Sequence, residues 1–426
     1  MLRFAQIASQ DININDLRVA LLNYIISKQQ NEPLLLRMDD IQNQTNKQTK
    51  QKQNLELLSL FSIDHLPAVY QSENIKQHHK MAMQLLMQKK AFSCFCTDER
   101  LQKSKQKAKQ NNQQYIYEGG CDKLDDATVM NTEAPFTVRI KAPSKNIKFN
   151  DLLKGELEFT PFDIDSFIIL EKDKMPTHTF ACAIDDMLYD ISTVVQDEKY
   201  LQDVAKQIYI RESLGYTKNI NYIHIPALTI TDDKIASVSW LIEEGFLPSA
   251  IANYLVLIGN DTPKEIFTLE EAIQWLDIEK ISQTKIDFDL DKLKDINNKH
   301  LQSIDNMRLS KLIGYADEDF GKLAKVYLQK FDTLKEIKEK IDNILIPKNP
   351  PKEFISEFEK IKECLKEAPF IDEFSELKKY IIKQTSLEEK AVLKPLRYIL
   401  TNSYESNIDL DKIYPHIKNY LGEIIK

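Results

Sequence analysis

Three segments at the start of the chain constrain its fold most: a short apolar run at Leu2 to Ile7, apolar residues at helical spacing from Leu17 to Gln30, and a second apolar run at Leu34 to Met38. Strand, helix and strand in so short a stretch read as a parallel βαβ start. Glycine narrows the choice further, because the chain has nine in 426 residues and none before Gly119. Loops that cradle phosphates need glycine so that backbone can approach the ligand. Neither a P-loop nor a GxGxxG fingerprint fits here, which excludes kinases and GTPases built on such loops and ordinary dinucleotide dehydrogenases.

A hydrophobic content of 42% without a long apolar run suits a soluble globular protein of two to four domains. No transmembrane segment and no signal-peptide pattern is read, and five cysteines without regular spacing make no disulfide framework, so a reducing, cytoplasmic setting is expected. The net charge of -8 argues against a generic polyanion binder, since non-specific nucleic-acid affinity rests on Lys and Arg neutralising phosphates. A local basic face remains compatible with it.

Asn43 to Asn54 is polar and low in complexity and reads as a solvated loop or frayed helix. Residues 72–160 read as an insertion with helices at Ile75 to Lys89 and Glu99 to Gln113 and strands at Phe136 to Ala142 and Glu156 to Phe159. Strand and helix alternation resumes with Ser166 to Leu170, Phe180 to Leu188, Ile191 to Val195 and Tyr200 to Leu214, as though the first sheet were completed after the excursion. From Trp240 onward amphipathic helices dominate, with Lys348-Asn349-Pro350-Pro351-Lys352 the clearest break.

The segments Arg3-Phe4-Ala5, Asp11 to Leu21 (DININDLRVAL) and Leu36-Arg37-Met38-Asp39-Asp40 resemble the start of a glutamyl-tRNA synthetase, a class I enzyme whose motifs run RFAPSPTG, HIGxxRxAL and LRIEDTD. Pro176 to Asp186 (PTHTFACAIDD), Ile210 to Tyr216 (IRESLGY) and Gly245 to Gly259 (GFLPSAIANYLVLIG) extend the resemblance over essentially the whole chain. It implies an α/β Rossmann-type catalytic domain with an α+β insertion, followed by an all-α C-terminal half. The implied division is 1–71 with 161–225 for the catalytic domain and 72–160 for an acceptor-stem-binding insertion. A helical stem-contact region at 226–316 and a helical anticodon-binding-like domain at 317–426 complete it. The implied partner is a glutamate- or glutamine-type tRNA, bound by a monomer.

The implied reaction is attack of a glutamate carboxylate on the ATP α-phosphate, with Mg, followed by transfer to tRNA. It gathers negative charge on phosphate oxygens and so needs placed cations and donors. Here the HIGH positions read Asn13-Ile14-Asn15-Asp16, with Asn13 at the histidine and Asn15 at the glycine. A side chain at position 15 occupies space where adenine lies against bare backbone. PSPTG reads Gln6-Ile7-Ala8-Ser9-Gln10. The KLSKRxG-type loop is curtailed to Ala227 through Ser239, with Lys234 its one lysine.

In the implied glutamate pocket Arg3 is kept, Asp39 is shortened from Glu, His178 replaces the tyrosine of PTY, and Gln196 replaces an arginine that glutamine cannot match in charge. Asp185-Asp186 reads as a structural pair at a helix start. Three thiols and a tyrosine oxygen at Cys94, Cys96, Tyr117 and Cys121 could complete a tetrahedral zinc site, as in relatives with a CxC…YxxxC knuckle, or could be free cysteines in a packed insertion. Cys182 and Cys364 read as core. Lys103, Lys105, Lys107 and Lys109 on a Lys/Gln-rich helix are RNA-contact candidates. The joint departures favour an inactive or impaired paralogue that keeps tRNA-binding architecture, the alternative being an active glutamate-tRNA ligase with divergent motifs.

Overall fold

The computed structural model describes residues 1–7, 11–41, 47–403 and 408–426. Ala8, Ser9 and Gln10 of the PSPTG-like stretch, and the first part of the Asn43 to Asn54 segment, lie outside the described residues. Contacts divide the chain into two compact units, 1–238 with 255–288 and 239–254 with 289–426.

The first unit runs β1 (Leu2–Ile7), α1 (Ile14–Gln29), β2 (Leu34–Asp39), α2 (Lys47–Leu60), β3 (Val69–Tyr70), α3 (Ile75–Met87), β4 (Ala91–Cys94), α4 (Asp98–Gln110), α5 (Asp126–Asn131) and β5 (Thr137–Ile140). It continues with β6 (Ile147–Asp151), β7 (Gly155–Phe159), α6 (Pro161–Ile164), β8 (Ile168–Leu170), α7 (His178–Leu188), β9 (Thr193–Asp197), α8 (Leu201–Ser213) and β10 (Asn221–Ile225). The main sheet has the order β3-β2-β1-β9-β10-β6-β7 and is parallel except for β7. Every residue of β2 is buried, as expected of a parallel strand covered on both faces.

Two placements differ from the sequence reading. The strand expected at Ser166 to Leu170 does not rejoin the first sheet; β8 pairs with β5 in a separate antiparallel sheet of order β4-β5-β8. Its interior, including Ala91, Val138, Ile140 and Ile169, packs on Ala82 and Leu85 of α3 and Phe180 of α7. Conversely, the β6–β7 hairpin, read as part of the insertion, extends the main sheet beside β10. Asp185 and Asp186 sit in the second half of α7 rather than at its start, so side-chain partners, His78 and Asn74 for Asp185 and Arg3 and Arg37 for Asp186, account for them rather than the helix dipole.

The second unit is built of helices, among them Leu290–Ser303, Glu318–Tyr327, Leu334–Leu345, Ile355–Lys366, Phe374–Thr385, Glu389–Thr401 and Leu410–Ile417. Their apolar stripes supply a core that includes Ile337, Ile341, Leu377, Leu396 and Ile413, all fully buried. Gly245 has φ +89°, and a Cβ there would stand 2.5 Å from the backbone N of Lys335. That close approach explains the glycine, whose carbonyl accepts the Leu334 N–H at 3.1 Å. Among the described residues no helix is long and apolar enough to cross a membrane.

Candidate active-site cavity

In the main sheet the strand order reverses between β1 and β9, with β2 and β3 on one side and β10 on the other. At such a switch point the loops diverge and leave a crevice at the strands' carboxyl ends. A cavity of about 120 Å³ lies there, lined by residues of β1, α1, β2, α7, β9 and α8. Arg3, Asn13, Asn15, Asp39, His178 and Gln196, singled out from the sequence, all contribute to its wall. Lys234 does not, being exposed and outside that lining.

The N-terminus of α1 faces this cavity, and a helix N-terminus is ordinarily an anion site because its first N–H groups are unpaired. Here they are taken. Ile14 N–H donates to the Ala236 carbonyl at 3.0 Å, and the N–H groups of Asn15 and Asp16 donate to Asn13 Oδ1 at 2.9 and 3.0 Å. Asp16 closes the capping box by accepting the Asn13 N–H at 3.3 Å. Burial pushes the Asp16 carboxyl above its ordinary pKa. The Asn15 carboxamide is also committed: its oxygen accepts the Leu228 N–H at 2.7 Å and its nitrogen donates to the Leu228 carbonyl at 3.4 Å. The loop after β10 is thus fastened onto α1. Arg18 donates to the Pro226 and Ile258 carbonyls at 3.0 and 3.2 Å and is a packing residue.

Opposite lies a buried charge cluster. Alternation along parallel β1 and β2, with Ala5 opposite Arg37, puts Arg3, Arg37 and Asp39 on one face. Arg3 Nε and Nη2 donate to the two oxygens of Asp186 at 2.7 and 3.1 Å. Arg37 donates to Asp39 Oδ1 at 2.7 Å, to Asp186 Oδ1 at 2.8 Å and to Cys182 Sγ at 3.0 Å. Burial alone would raise both carboxyls, but Arg37 and His178 hold Asp39, and Arg3 and Arg37 hold Asp186, below the usual range. His178 Nε2 stands 2.9 Å from Asp39 Oδ2, and its pKa is pushed up to about 11, first by the Cys182 sulfur and then, against burial, by Asp39. Much of Arg3's fork is therefore occupied from within.

Gln196 is oriented by a partner that the sequence did not reveal: its Nε2 lies 2.9 Å from His224 Nε2, and His224 Nδ1 lies 2.6 Å from Asp151 Oδ2. Asp185, next to Asp186, holds His78 at 2.8 Å and Asn74 at 3.0 Å. Gln207 Oε1 is buried against the cavity with no hydrogen-bond partner among the described residues.

The cysteine candidates do come together. Tyr117 Oη is 3.2 Å from Cys94 Sγ and 3.5 Å from Cys96 Sγ, and Cys96 Sγ is 3.7 Å from Cys121 Sγ. A tetrahedral zinc with sulfur at ~2.3 Å has edges of about 3.8 Å between sulfurs, and somewhat less to oxygen, so these four residues fit the ion. Gly119 is the cradle, since a Cβ there would lie 2.6 Å from Cys96 Sγ. Burial raises the Cys96 thiol's pKa; at Cys94 burial is outweighed by the Tyr117 hydroxyl, which lowers it. Lys103, Lys105, Lys107 and Lys109 are exposed along α4, which buries no residue.

Comparison with known proteins fits this architecture. The family described as tRNA synthetases class I (E and Q), catalytic domain, matches residues 1–295. At full length the chain is similar to Glutamate--tRNA ligase 2 of Sulfurimonas denitrificans (47% identical), Glutamate--tRNA ligase 1 of Nitratiruptor (44%) and Glutamate--tRNA ligase 1 of Campylobacter jejuni (42%), covering 100% of each. A crystal structure of a glutamate tRNA ligase from Elizabethkingia meningosepticum shares the fold, with a TM-score of 0.80 at 20% identity over 100% of this chain and 98% of that one. The fold and the cavity define a class I aminoacyl-tRNA synthetase architecture, and the chain belongs to its glutamyl-tRNA synthetase family.

Proposed function

We propose that this chain is a tRNA-binding glutamyl-tRNA synthetase homologue that has lost activation of glutamate by ATP. The observation that carries the reading is the N-terminus of α1, whose first three N–H groups are satisfied internally and which bears the Asp16 carboxylate where phosphates would approach. Losing one oxyanion-type donor commonly costs ~10²- to 10³-fold in rate. Here the histidine and the loop lysines are missing together, and Gln196 offers a neutral carboxamide in place of a guanidinium. In the same reading the segment built around the β4-β5-β8 sheet is the acceptor-stem-binding insertion, with α4 contributing its lysines. Residues 226–316 contact the stem and 317–426 bind the anticodon arm of a glutamate- or glutamine-type tRNA. The protein acts as a cytoplasmic monomer, and Cys94, Cys96, Tyr117 and Cys121 hold a structural zinc.

A second reading is an active glutamate-tRNA ligase using ATP and Mg. It is favoured by full-length identities of 47% and 42% to proteins named as glutamate-tRNA ligases. Glutamate-dependent pyrophosphate exchange with tRNA present, run beside a tRNA gel shift, separates the two. Binding without exchange supports the first reading, and robust exchange establishes the second.

A further inference from the structure

Asp39, His178 and Cys182 each turn one donor atom toward the others in the cavity wall. His178 Nε2 lies 2.9 Å from Asp39 Oδ2 and 3.4 Å from Cys182 Sγ, and that sulfur lies 3.9 Å from Asp39 Oδ2. A tetrahedral zinc bound by N or O at ~2.0–2.1 Å and S at ~2.3 Å requires edges of about 3.3–3.6 Å. The His178–Cys182 separation falls within that range, while the Asp39–His178 pair is shorter and the Asp39–Cys182 pair longer, so small side-chain shifts would bring all three onto the ion. We infer that these residues form a second metal site, for a divalent cation of the zinc class, distinct from the Cys94–Cys96–Tyr117–Cys121 cluster.

The surroundings suit such an ion. Metal ligands are usually oriented by outer hydrogen bonds, and both anionic ligands here have them. Asp39 accepts Arg37 Nε on Oδ1 at 2.7 Å and, more weakly, Arg37 Nη2 on Oδ2 at 3.4 Å, so Oδ2 is the oxygen less committed to Arg37, while Cys182 Sγ receives Arg37 Nη2 at 3.0 Å and Gln71 Nε2 at 3.6 Å. Asp39 and Asp186 balance Arg3 and Arg37, and a bound ion would take the place of the proton that His178 holds against Asp39. Asp39 and Cys182 are buried, while the His178 side chain is 36% exposed, so the ion has a path in from the cavity. Three protein ligands leave a fourth position open toward that space, the arrangement that binds water or a small anionic ligand. This site is independent of the tRNA-binding reading, since neither the ligands nor their partners belong to the RNA-contact candidates.

The test uses the full chain, stripped with a chelator and titrated with Co²⁺ alone, then Zn²⁺, with bound metal counted by mass spectrometry. The wild type should hold one more equivalent of Co²⁺ than His178→Tyr or Cys182→Ser, whatever the occupancy of the other cysteine cluster. Cys182→Ser should also diminish the thiolate-to-cobalt charge-transfer absorption. His178→Tyr keeps every cysteine and alters a partly exposed position, so it separates lost metal from lost folding, read by circular dichroism. Gln71→Ala should weaken the affinity by ~10-fold, the scale of an outer partner. Equal metal content in the wild type and a folded His178→Tyr chain would overturn the assignment, as would a charge-transfer band indifferent to Cys182.

Discussion

Asn13 and Asp16 satisfy each other's backbone: the Asn13 side-chain oxygen accepts the Asp16 N–H at 3.0 Å, and the Asp16 carboxylate accepts the Asn13 N–H at 3.3 Å. The two residues thus build a reciprocal cap. If Asn13 works as a cap, Asn13→Ala should lower stability by about 1 kcal/mol in urea unfolding. It should leave tRNA affinity unchanged, a split that a substrate-contacting role would not give.

Asn15 makes a parallel case. Its carboxamide fastens Leu228 through both backbone groups, so Asn15→Gly should increase proteolysis and hydrogen exchange in the loop after β10. Calorimetric titration with ATP should show no gain from this single change, because Asp16 and the occupied N–H groups remain.

Asp186 neutralises both Arg3 and Arg37 in a buried setting, so Asp186→Asn should cost ~3–5 kcal/mol, the usual consequence of stranding a buried charge. The pH dependence has a definite sign. Folded Asp186 has a depressed pKa, so its contribution is fully present above the unfolded value near ~3.9 and is lost as pH falls from there toward the folded value. Chemical denaturation between pH 7 and pH 3 should show an acid limb for the wild type that is shallower in Asp186→Asn.

Why some of this was legible in the sequence follows from the residues. The β1–α1–β2 opening announces itself through apolar runs of the right lengths, and Arg3, Asn13, Asn15, Asp39, His178 and Gln196 fall in motif positions that the topology brings to one cavity. β8 misled, because a three-residue apolar strand carries no mark of which sheet it joins. Cys182 read as core because a cysteine in an apolar helix behaves as a small hydrophobe, and only the packing of α7 against β2 sets it beside Asp39 and Arg37. The Asp151–His224–Gln196 chain joins three strands that neighbour one another in the sheet but lie far apart in sequence, which no local pattern encodes. Arg37 could have been found, since odd positions of β2 share the face that carries Asp39.

The lysines of α4 give a quantitative expectation for RNA. Each phosphate contact contributes ~0.7–0.9 to the slope of log affinity against log salt. Replacing Lys103 and Lys107, four residues apart on one side of the exposed helix, by Ala should flatten the tRNA salt slope by about 1.5 if both meet phosphate, as read by filter binding at several salt concentrations.

For the cysteine cluster, Gly119→Ala should impair zinc retention, because the added Cβ would press on Cys96 Sγ and the Tyr117 ring. Metal analysis after dialysis checks this, and Cys121→Ser should give the same loss without the steric cause.

The most direct measurement is glutamate-dependent ATP–pyrophosphate exchange by the full chain with tRNA and Mg²⁺, beside tRNA binding in the same buffer. With the α1 N-terminus capped by its own side chains and the loop after β10 bound onto it, tRNA should bind while exchange stays at the level of a no-enzyme control. Exchange well above that control, saturating with glutamate, would contradict the loss of activation.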